Sequence, residues 1–320
     1  MSKIRAAVIG VGYLGRFHAQ KYAQLPVCEL VAVVDGREEA RNSVAAEVGS
    51  TPLADYRQLL GKVDAVSVVT PTPAHFEIAD AFLAAGAHVL VEKPITETPE
   101  QARALISQAS RNKRVLQVGH LERFNAAILA AEPHLSTPRF MECQRLAPYK
   151  ERGTDVNVVL DLMIHDIDLV QSLARSEIIS IDAIGSPVFS GEIDIANARI
   201  RFANGCVANT TASRVSLKTE RKLRIFEDAA YISLDLQQKI MTLIRKREGP
   251  LQAGQLPVTI EEANLEQGDA LKSEIDSFLD CIRNDRSPIV SGEDGLRALE
   301  TAIRITEQVH ANLGATRKPA

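Results

Sequence analysis

Gly10-Val11-Gly12-Tyr13-Leu14-Gly15 spells G-x-G-x-x-G directly after the apolar run "IRAAVI" and before a helical stretch. In that context the first glycine permits a tight turn, the second lets a pyrophosphate approach the backbone, and the third lets helix pack on strand. The phosphate charge then meets the positive end of a helix. Asp35 stands 20 residues beyond Gly15, at the end of the next apolar run, where a carboxylate accepts hydrogen bonds from a ribose diol and repels a 2′-phosphate. That pairing favours NAD over NADP, with Arg37 close enough to soften the discrimination. A second group lies in "NVVLDLMIHDIDLVQSLA", which reads as one helix with Asp161 and His165 as i, i+4 neighbours and Asp168 on the same side. A carboxylate beside an imidazole suits acid–base chemistry near neutral pH, although the same pair also serves as a structural ion pair. A third group ends the run "HVLV" in Glu92-Lys93-Pro94, charge placed where a buried strand stops.

The elements that must hold these groups follow from the apolar pattern. Residues 4–9, 30–34, 65–69, 88–91 and 115–118 are short valine-rich runs, separated by helical stretches such as 13–25, 74–86 and 102–111. Continuous apolar strands alternating with helices predict a doubly wound parallel sheet covered on both faces, with ligands bound beyond the carboxyl ends of its strands. The third strand leaves through Thr70-Pro71-Thr72-Pro73-Ala74-His75, whose prolines end the ladder and open a loop toward the nicotinamide half. After Gly119 the rhythm changes: residues 178–184, 193–202, 206–214, 222–227 and 230–236 have strand character without intervening helices, and Asn204-Gly205 signals a hairpin. The fold class is therefore α/β: an N-terminal Rossmann domain with a doubly wound parallel sheet over 1–119, then a domain over 120–320 with a mostly antiparallel sheet, one face of which can serve as a subunit interface. Helices are expected at 270–284 and 293–312, the last one packing back toward the first domain and ending near Gly314; "GPLQAGQLP" at 249–257 reads as a mobile loop.

With 45% hydrophobic residues the chain can bury a large core. A formal charge of −4, no tryptophan and five tyrosines give no electrostatic footprint for nucleic acid, and no run approaches a membrane-spanning length. The opening apolar run is too short for a signal segment, and Cys28, Cys143, Cys206 and Cys281 lack any CxxC spacing. These features imply a reduced, cytoplasmic protein with a small-molecule partner, no metal centre and no disulfides.

Together the glycine loop, Asp35, the 70–75 loop, Glu92-Lys93-Pro94 and the Asp161/His165 pair resemble the Gfo/Idh/MocA family of nicotinamide-dependent oxidoreductases over nearly the whole chain. The resemblance implies that the second domain carries a large, open sheet for substrate binding and oligomerisation, and it implies NAD as cofactor, contacted by Gly10, Val11, Gly12, Tyr13, Leu14, Gly15, Asp35, Thr70, Pro71, Thr72, His75, Glu92 and Lys93. It further implies a cis peptide before Pro94, Lys93 on the reacting hydroxyl, His165 exchanging its proton and Asp161 positioning substrate or imidazole. Where many members carry glycine two residues after that aspartate, this chain has Met163, which puts close approach of substrate to that turn in question.

A narrower similarity, in "GHLERFNAA" at 119–127 and "DLMIHDIDLV" at 161–170, is to the bacterial UDP-N-acetylglucosamine 3-dehydrogenases of lipid A synthesis. It implies a UDP-sugar substrate, coupling to an aminotransferase and a homo-oligomer, dimer or tetramer. A diphosphate needs cations, and "RVSLKTERKLR" at 214–224 carries five with one glutamate. Substrate contacts are accordingly assigned to Lys93, Arg123, Asn125, Asp161, His165 and Arg214, with Lys218, Arg221 and Arg224 as further candidates; a solvated hairpin accounts for the cluster equally well. The rival readings are an inositol or free-sugar dehydrogenase, a redox-neutral NAD-dependent glycosidase and a non-catalytic dinucleotide-binding regulator.

Overall fold

The computed structural model describes residues 3–150, 156–249, 254–266 and 268–316. The chain divides into two units, Met1–Phe124 with Asp269–Leu299, and Asn125–Gly268 with Glu300–Ala320. In the first unit, β1 (Ile4–Ile9), β2 (Cys28–Val34), β3 (Thr51–Leu53), β4 (Ala65–Val68), β5 (His88–Glu92) and β6 (Leu116–Gly119) form one parallel sheet. Their order is β3-β2-β1-β4-β5-β6, which reverses direction between β1 and β4 and so creates the ligand crevice of a doubly wound sheet. The connecting helices are α1 (Tyr13–Gln24), α2 (Glu38–Val48), α3 (His75–Ala84) and α4 (Pro99–Asn112). Val8, Val33, Val66, Val68, Val89, Leu90 and Val91 are fully buried, as strands covered on both faces require.

The second unit is built on eight strands: β7 (Phe140–Leu146), β8 (Ile178–Ser186), β9 (Ile195–Phe202), β10 (Val207–Ser213), β11 (Glu220–Phe226), β12 (Ala230–Asp235), β13 (Ile240–Lys246) and β14 (Val258–Asn264). They run in the order β14-β13-β12-β11-β7-β10-β9-β8, antiparallel except where β10 lies parallel to β7. Residues along β9 alternate between exposed and buried, so one face is covered and the other open. α5 (Ala126–Ala131) and α6 (Ile164–Ala174) pack on the sheet. The hairpin at Asn204-Gly205 forms as expected: Gly205 takes φ +86°, and Asn204 Oδ1 accepts from Cys206 N at 3.1 Å. β7, β13 and β14 were not foreseen by the pattern.

The chain then returns to the first unit through α7 (Ala270–Asn284), and α8 (Gly292–Thr316) spans the division between the units. Ile275, Phe278 and Leu279 of α7 are fully buried in one core with Ile4, Ala6, Val8 and Tyr22. As a compact body the first unit also takes in Asp269–Leu299, where α7 supplies part of the apolar cover of the sheet. α8 ends near Gly314 as expected, at Thr316. Of the 249–257 loop, residues 250–253 lie outside the described residues. No helix among the described residues is long and apolar enough to cross a membrane.

Candidate active site

In the first unit the glycine loop follows local steric necessity. Gly10 has φ +87°, and a β-carbon there would lie 2.7 Å from Val69 O. A β-carbon on Gly15 would lie 1.8 Å from Gly10 O, so only glycine lets α1 close onto the end of β1. Beside Gly12 the nearest atom to an added β-carbon is Arg37 Nη2 at 3.5 Å, which leaves the backbone open to an approaching pyrophosphate. The first turn of α1 carries no acidic side chain and no side-chain cap, so its positive end is left for an anion. Val11 is buried, whereas Tyr13 and Leu14 are exposed.

Asp35 closes this loop from the end of β2. Its Oδ2 accepts from Val11 N at 3.1 Å and its Oδ1 from Arg37 N at 2.9 Å and Arg37 Nε at 3.2 Å. Burial alone would raise the carboxyl, but the Arg37 guanidinium and the two backbone N–H groups outweigh it and hold Asp35 below its ordinary value. It stands charged at neutral pH, ready to accept from a ribose diol. Asp35→Ala is expected to weaken NAD by about tenfold, the order of one charge-assisted hydrogen bond. It should also narrow the preference over NADP, because Arg37 loses its partner. Titrations with the two dinucleotides check this, and an unchanged ratio of dissociation constants removes Asp35 from the ribose site.

The 70–75 loop leaves β4 with a 3-10 turn at Thr72–Ala74. Thr70 Oγ1 is buried and hydrogen-bonds to none of the described residues, an orphaned donor at the carboxyl end of a central strand. Pro71 lies exposed beside it and Thr72 half-buried. His75 is 1% exposed, with Nδ1 2.9 Å from Pro94 O and Nε2 2.9 Å from Thr70 O. Both ring nitrogens therefore face backbone carbonyls, and the residue ties the Thr70 loop to the peptide after Lys93. The open backbone at Gly12, the uncapped helix end, the charged Asp35 and the orphaned Thr70 hydroxyl fit a bound dinucleotide.

Lys93 follows β5 immediately and precedes Pro94 through a cis peptide, as the resemblance implied. Its N–H donates to Glu92 Oε2 at 3.3 Å, while Glu92 Oε1 lies 3.1 Å from His18 Nε2 of α1. Glu92 pairs with Gly119 across β5 and β6, and a β-carbon on Gly119 would lie 2.9 Å from the Glu92 carboxyl carbon. Glycine at 119 thus leaves the room that the carboxylate occupies. Burial would raise Glu92, yet His18 and the charge of Lys93 hold it below the ordinary carboxylate range. Arg123, in the 3-10 turn Leu121–Phe124, pairs with Asp294 at 3.5 Å.

In the second unit, a π turn over Val159–Met163 precedes α6, so "NVVLDLMIHDIDLVQSLA" is not one uninterrupted α-helix. Asp161 sits in that π turn and His165 in the first turn of α6, both half-buried. A π turn advances the helix less per residue than an α turn, so the spacing of four no longer guarantees an i, i+4 contact. Asp168 is buried at 2% exposure, and Met163 is fully buried, directed into the core. The methionine that departs from the family pattern therefore leaves the exposed side of its turn unobstructed. Asp166 is held by a bidentate pair with Arg145 of β7, at 2.7 and 3.0 Å, with both side chains 4% exposed.

Two assigned substrate residues have their polar atoms engaged inside this unit. Asn125 caps α5, accepting from Ala127 N at 3.0 Å and donating from Nδ2 to Leu236 O at 2.8 Å. Arg214 donates to Asp194 Oδ1 at 2.7 Å, Val156 O at 2.6 Å and Ser190 Oγ at 3.1 Å. Asp194 is buried, which would raise it, but Ser190, Arg214 and Val188 N hold it low; the cluster is a brace for the 187–194 loop. In the remaining basic run, Lys218 and Lys222 pair with Glu220 and Arg224 with Glu142, while Arg221 is exposed. Sequence reasoning did not find His18, Gly119 or the Arg214–Asp194 brace; only His18 carries a residue type that invites attention, and its partner lies 74 positions away. Among the described residues no group of three or more His, Cys, Asp or Glu could hold a metal ion.

Residues 4–120 match the family model described as oxidoreductase family, NAD-binding Rossmann fold, and residues 143–312 match its companion, oxidoreductase family, C-terminal alpha/beta domain. The chain is 40% identical, over 98% of its length and 99% of the relative's, to UDP-N-acetylglucosamine 3-dehydrogenase of Acidithiobacillus ferrooxidans. A solved structure of that enzyme superposes with a TM-score of 0.91, covering 97% of this chain and 99% of the other at 39% identity. A scyllo-inositol 2-dehydrogenase (NAD(+)) of Bacillus subtilis is 27% identical over 95% of this chain and 93% of the relative.

Proposed function

From the chain's membership of the Gfo/Idh/MocA oxidoreductase family, whose two domain models it matches in order, we infer that it oxidises the 3-hydroxyl of UDP-N-acetylglucosamine with NAD, giving the 3-keto nucleotide sugar. The observation that carries this reading is the end-to-end similarity, 40% over 98% of the chain, to an enzyme of that name. NAD, when bound, would supply the acceptor for the hydride that leaves the carbinol carbon. Lys93, fixed at the end of β5 by its own N–H on Glu92, holds its ammonium against the reacting oxygen and stabilises the alkoxide that develops as hydride leaves. His165 takes the hydroxyl proton, and Asp161 positions substrate or imidazole. The oxidation is balanced: two electrons and one proton leave as hydride, and the second proton leaves the oxygen.

Asp35 and the open backbone at Gly12 support NAD as the preferred dinucleotide. Of the residues read as substrate contacts, Arg214 and Asn125 enter the reading as braces of the substrate unit, and Arg123 and Arg221 as the candidate cations for the nucleotide. A 3-keto sugar is an acceptor for amine transfer, so the reading extends to coupling with an aminotransferase in lipid A synthesis, in the cytoplasm, by a homo-oligomer.

The test is absorbance of reduced nicotinamide from purified protein with NAD and UDP-N-acetylglucosamine, with an aminotransferase or carbonyl trap to draw off the ketone. NADH should form and should require the UDP group. Equal rates with inositols or free N-acetylglucosamine would move the assignment to a free-polyol dehydrogenase, which the similarity to the inositol enzyme makes the second reading. Glycoside turnover without NADH would move it to redox-neutral cleavage.

A further inference from the structure

Behind the β5 strand end lies a second carboxyl that the reaction above does not use. Glu274, on α7, is 0% exposed, and neither of its carboxyl oxygens accepts a hydrogen bond from the described residues. Its backbone carbonyl accepts from Gln117 Nε2 of β6 at 3.2 Å, which fixes the helix turn against the sheet. Gln117 Oε1 and His18 Nδ1 are likewise buried and make no hydrogen bond with the described residues. The carboxyl lies within Coulombic reach of Glu92 and Tyr22.

A buried carboxylate without donors is strongly disfavoured, and two neighbouring carboxylates in one buried site do not both ionise. Glu92 has the partners that suit an anion, the His18 ring and the Lys93 N–H, whereas Glu274 has none among the described residues. We propose that Glu274 carries the single proton of the Glu92–Glu274 pair and is a positioning residue for Lys93, keeping Glu92 the sole anion that holds His18 and the Lys93 backbone. As the acid, Glu274 also brings an O–H donor to a site otherwise rich in acceptors. Burial first, and then the Glu92 charge, push Glu274 well above its ordinary value, in the direction this arrangement requires. The elements packed on α7 carry His18 and Tyr22 in α1 and Glu122 and Arg123 in the 3-10 turn; of the titratable groups, Glu92 and Tyr22 interact electrostatically with Glu274, and β6 contributes neutral Gln117.

The sign of the pH effect follows. A carboxyl that keeps its proton in the folded state above its unfolded value lends stability that is whole below the unfolded value and is lost as pH rises through the folded one. Glu274→Gln, neutral at every pH, should therefore match wild type near roughly pH 4 and exceed it in Tm by a margin that widens toward about pH 8. Infrared spectra of the wild type at neutral pH should contain the carbonyl stretch of a buried protonated carboxyl, absent in Glu274→Gln. Neither readout depends on the substrate assigned above. The third readout, kcat, does rest on that assignment: Glu274→Gln should stay within about twofold of wild type, and Glu274→Leu, which supplies no donor, should fall about tenfold, with the KM for NAD little changed. A band that persists in Glu274→Gln, or a Tm gap constant with pH, overturns the proton's location. Failure of Glu274→Gln to fold overturns it too, since a neutral isostere is what the site calls for. Equal kcat in the Gln and Leu variants overturns the positioning role.

Discussion

Lys93→Ala is expected to lower kcat by about 10²–10³-fold, the loss typical of one transition-state donor, while the NAD dissociation constant changes by no more than about threefold. The two effects separate because the residue has two attachments. Its backbone N–H holds Glu92 and survives the substitution, whereas only the ammonium meets the developing alkoxide. The parts that fit the dinucleotide, at Gly12, Asp35 and Thr70, are set by other strands. Steady-state NADH formation and dinucleotide titration on the same preparation check both halves. Turnover like that of wild type would remove Lys93 from the chemistry; joint loss of turnover and NAD affinity would instead make it a structural support for the cofactor.

The second large effect is on stability. Arg145→Leu should destabilise the fold by about 3–5 kcal/mol, because it strands the Asp166 charge in a buried site. Arg145 and Asp166 exchange two hydrogen bonds at 2.7 and 3.0 Å with both side chains 4% exposed, so water replaces neither partner cheaply. Arg145→Leu with Asp166→Leu should recover most of that loss, since two apolar side chains need no partner. Urea denaturation of the two variants gives the comparison. A single-variant loss below about 1 kcal/mol would put the pair among weak surface-type ion pairs. Because Asp166 adjoins His165, the same bond fixes which face of α6 meets the sheet and therefore the direction in which the imidazole is presented.

The Rossmann half was legible because burial on both faces writes itself as unbroken valine runs, and because the glycine loop answers steric demands within a few residues. β3 was missed: three residues with Pro52 at their centre carry almost no strand signal, and it is an edge strand where proline is tolerated. β7 was missed because Arg145 interrupts the buried face of Met141 and Cys143 while Glu142 and Gln144 occupy the other face, and Arg145 is buried only by virtue of Asp166, 21 positions on. β14, "VTIEEAN", is another edge strand with little apolar content. The π turn left no trace, since one residue more per turn still satisfies an i, i+3/i+4 pattern. Asn125 and Arg214 carry side chains that cap and brace as readily as they bind substrates, so their cap on α5 and bond to Asp194 were not legible from residue type. Glu274 was beyond reach of any local pattern, as it meets Gln117 across 157 positions.

The return of the chain to the first unit through α7 has a consequence during synthesis. Everything from Asn125 to Gly268 is, in topological terms, an insertion into the nucleotide-binding unit, whose core is completed only by Ile275, Phe278 and Leu279. At ordinary ribosomal rates the interval between emergence of β6 and of α7 is on the order of ten seconds. For that time the apolar face bearing Ile4, Ala6, Val8 and Tyr22 lacks its last cover. The cover of the amino-terminal segment is thus completed only after the insert has been translated.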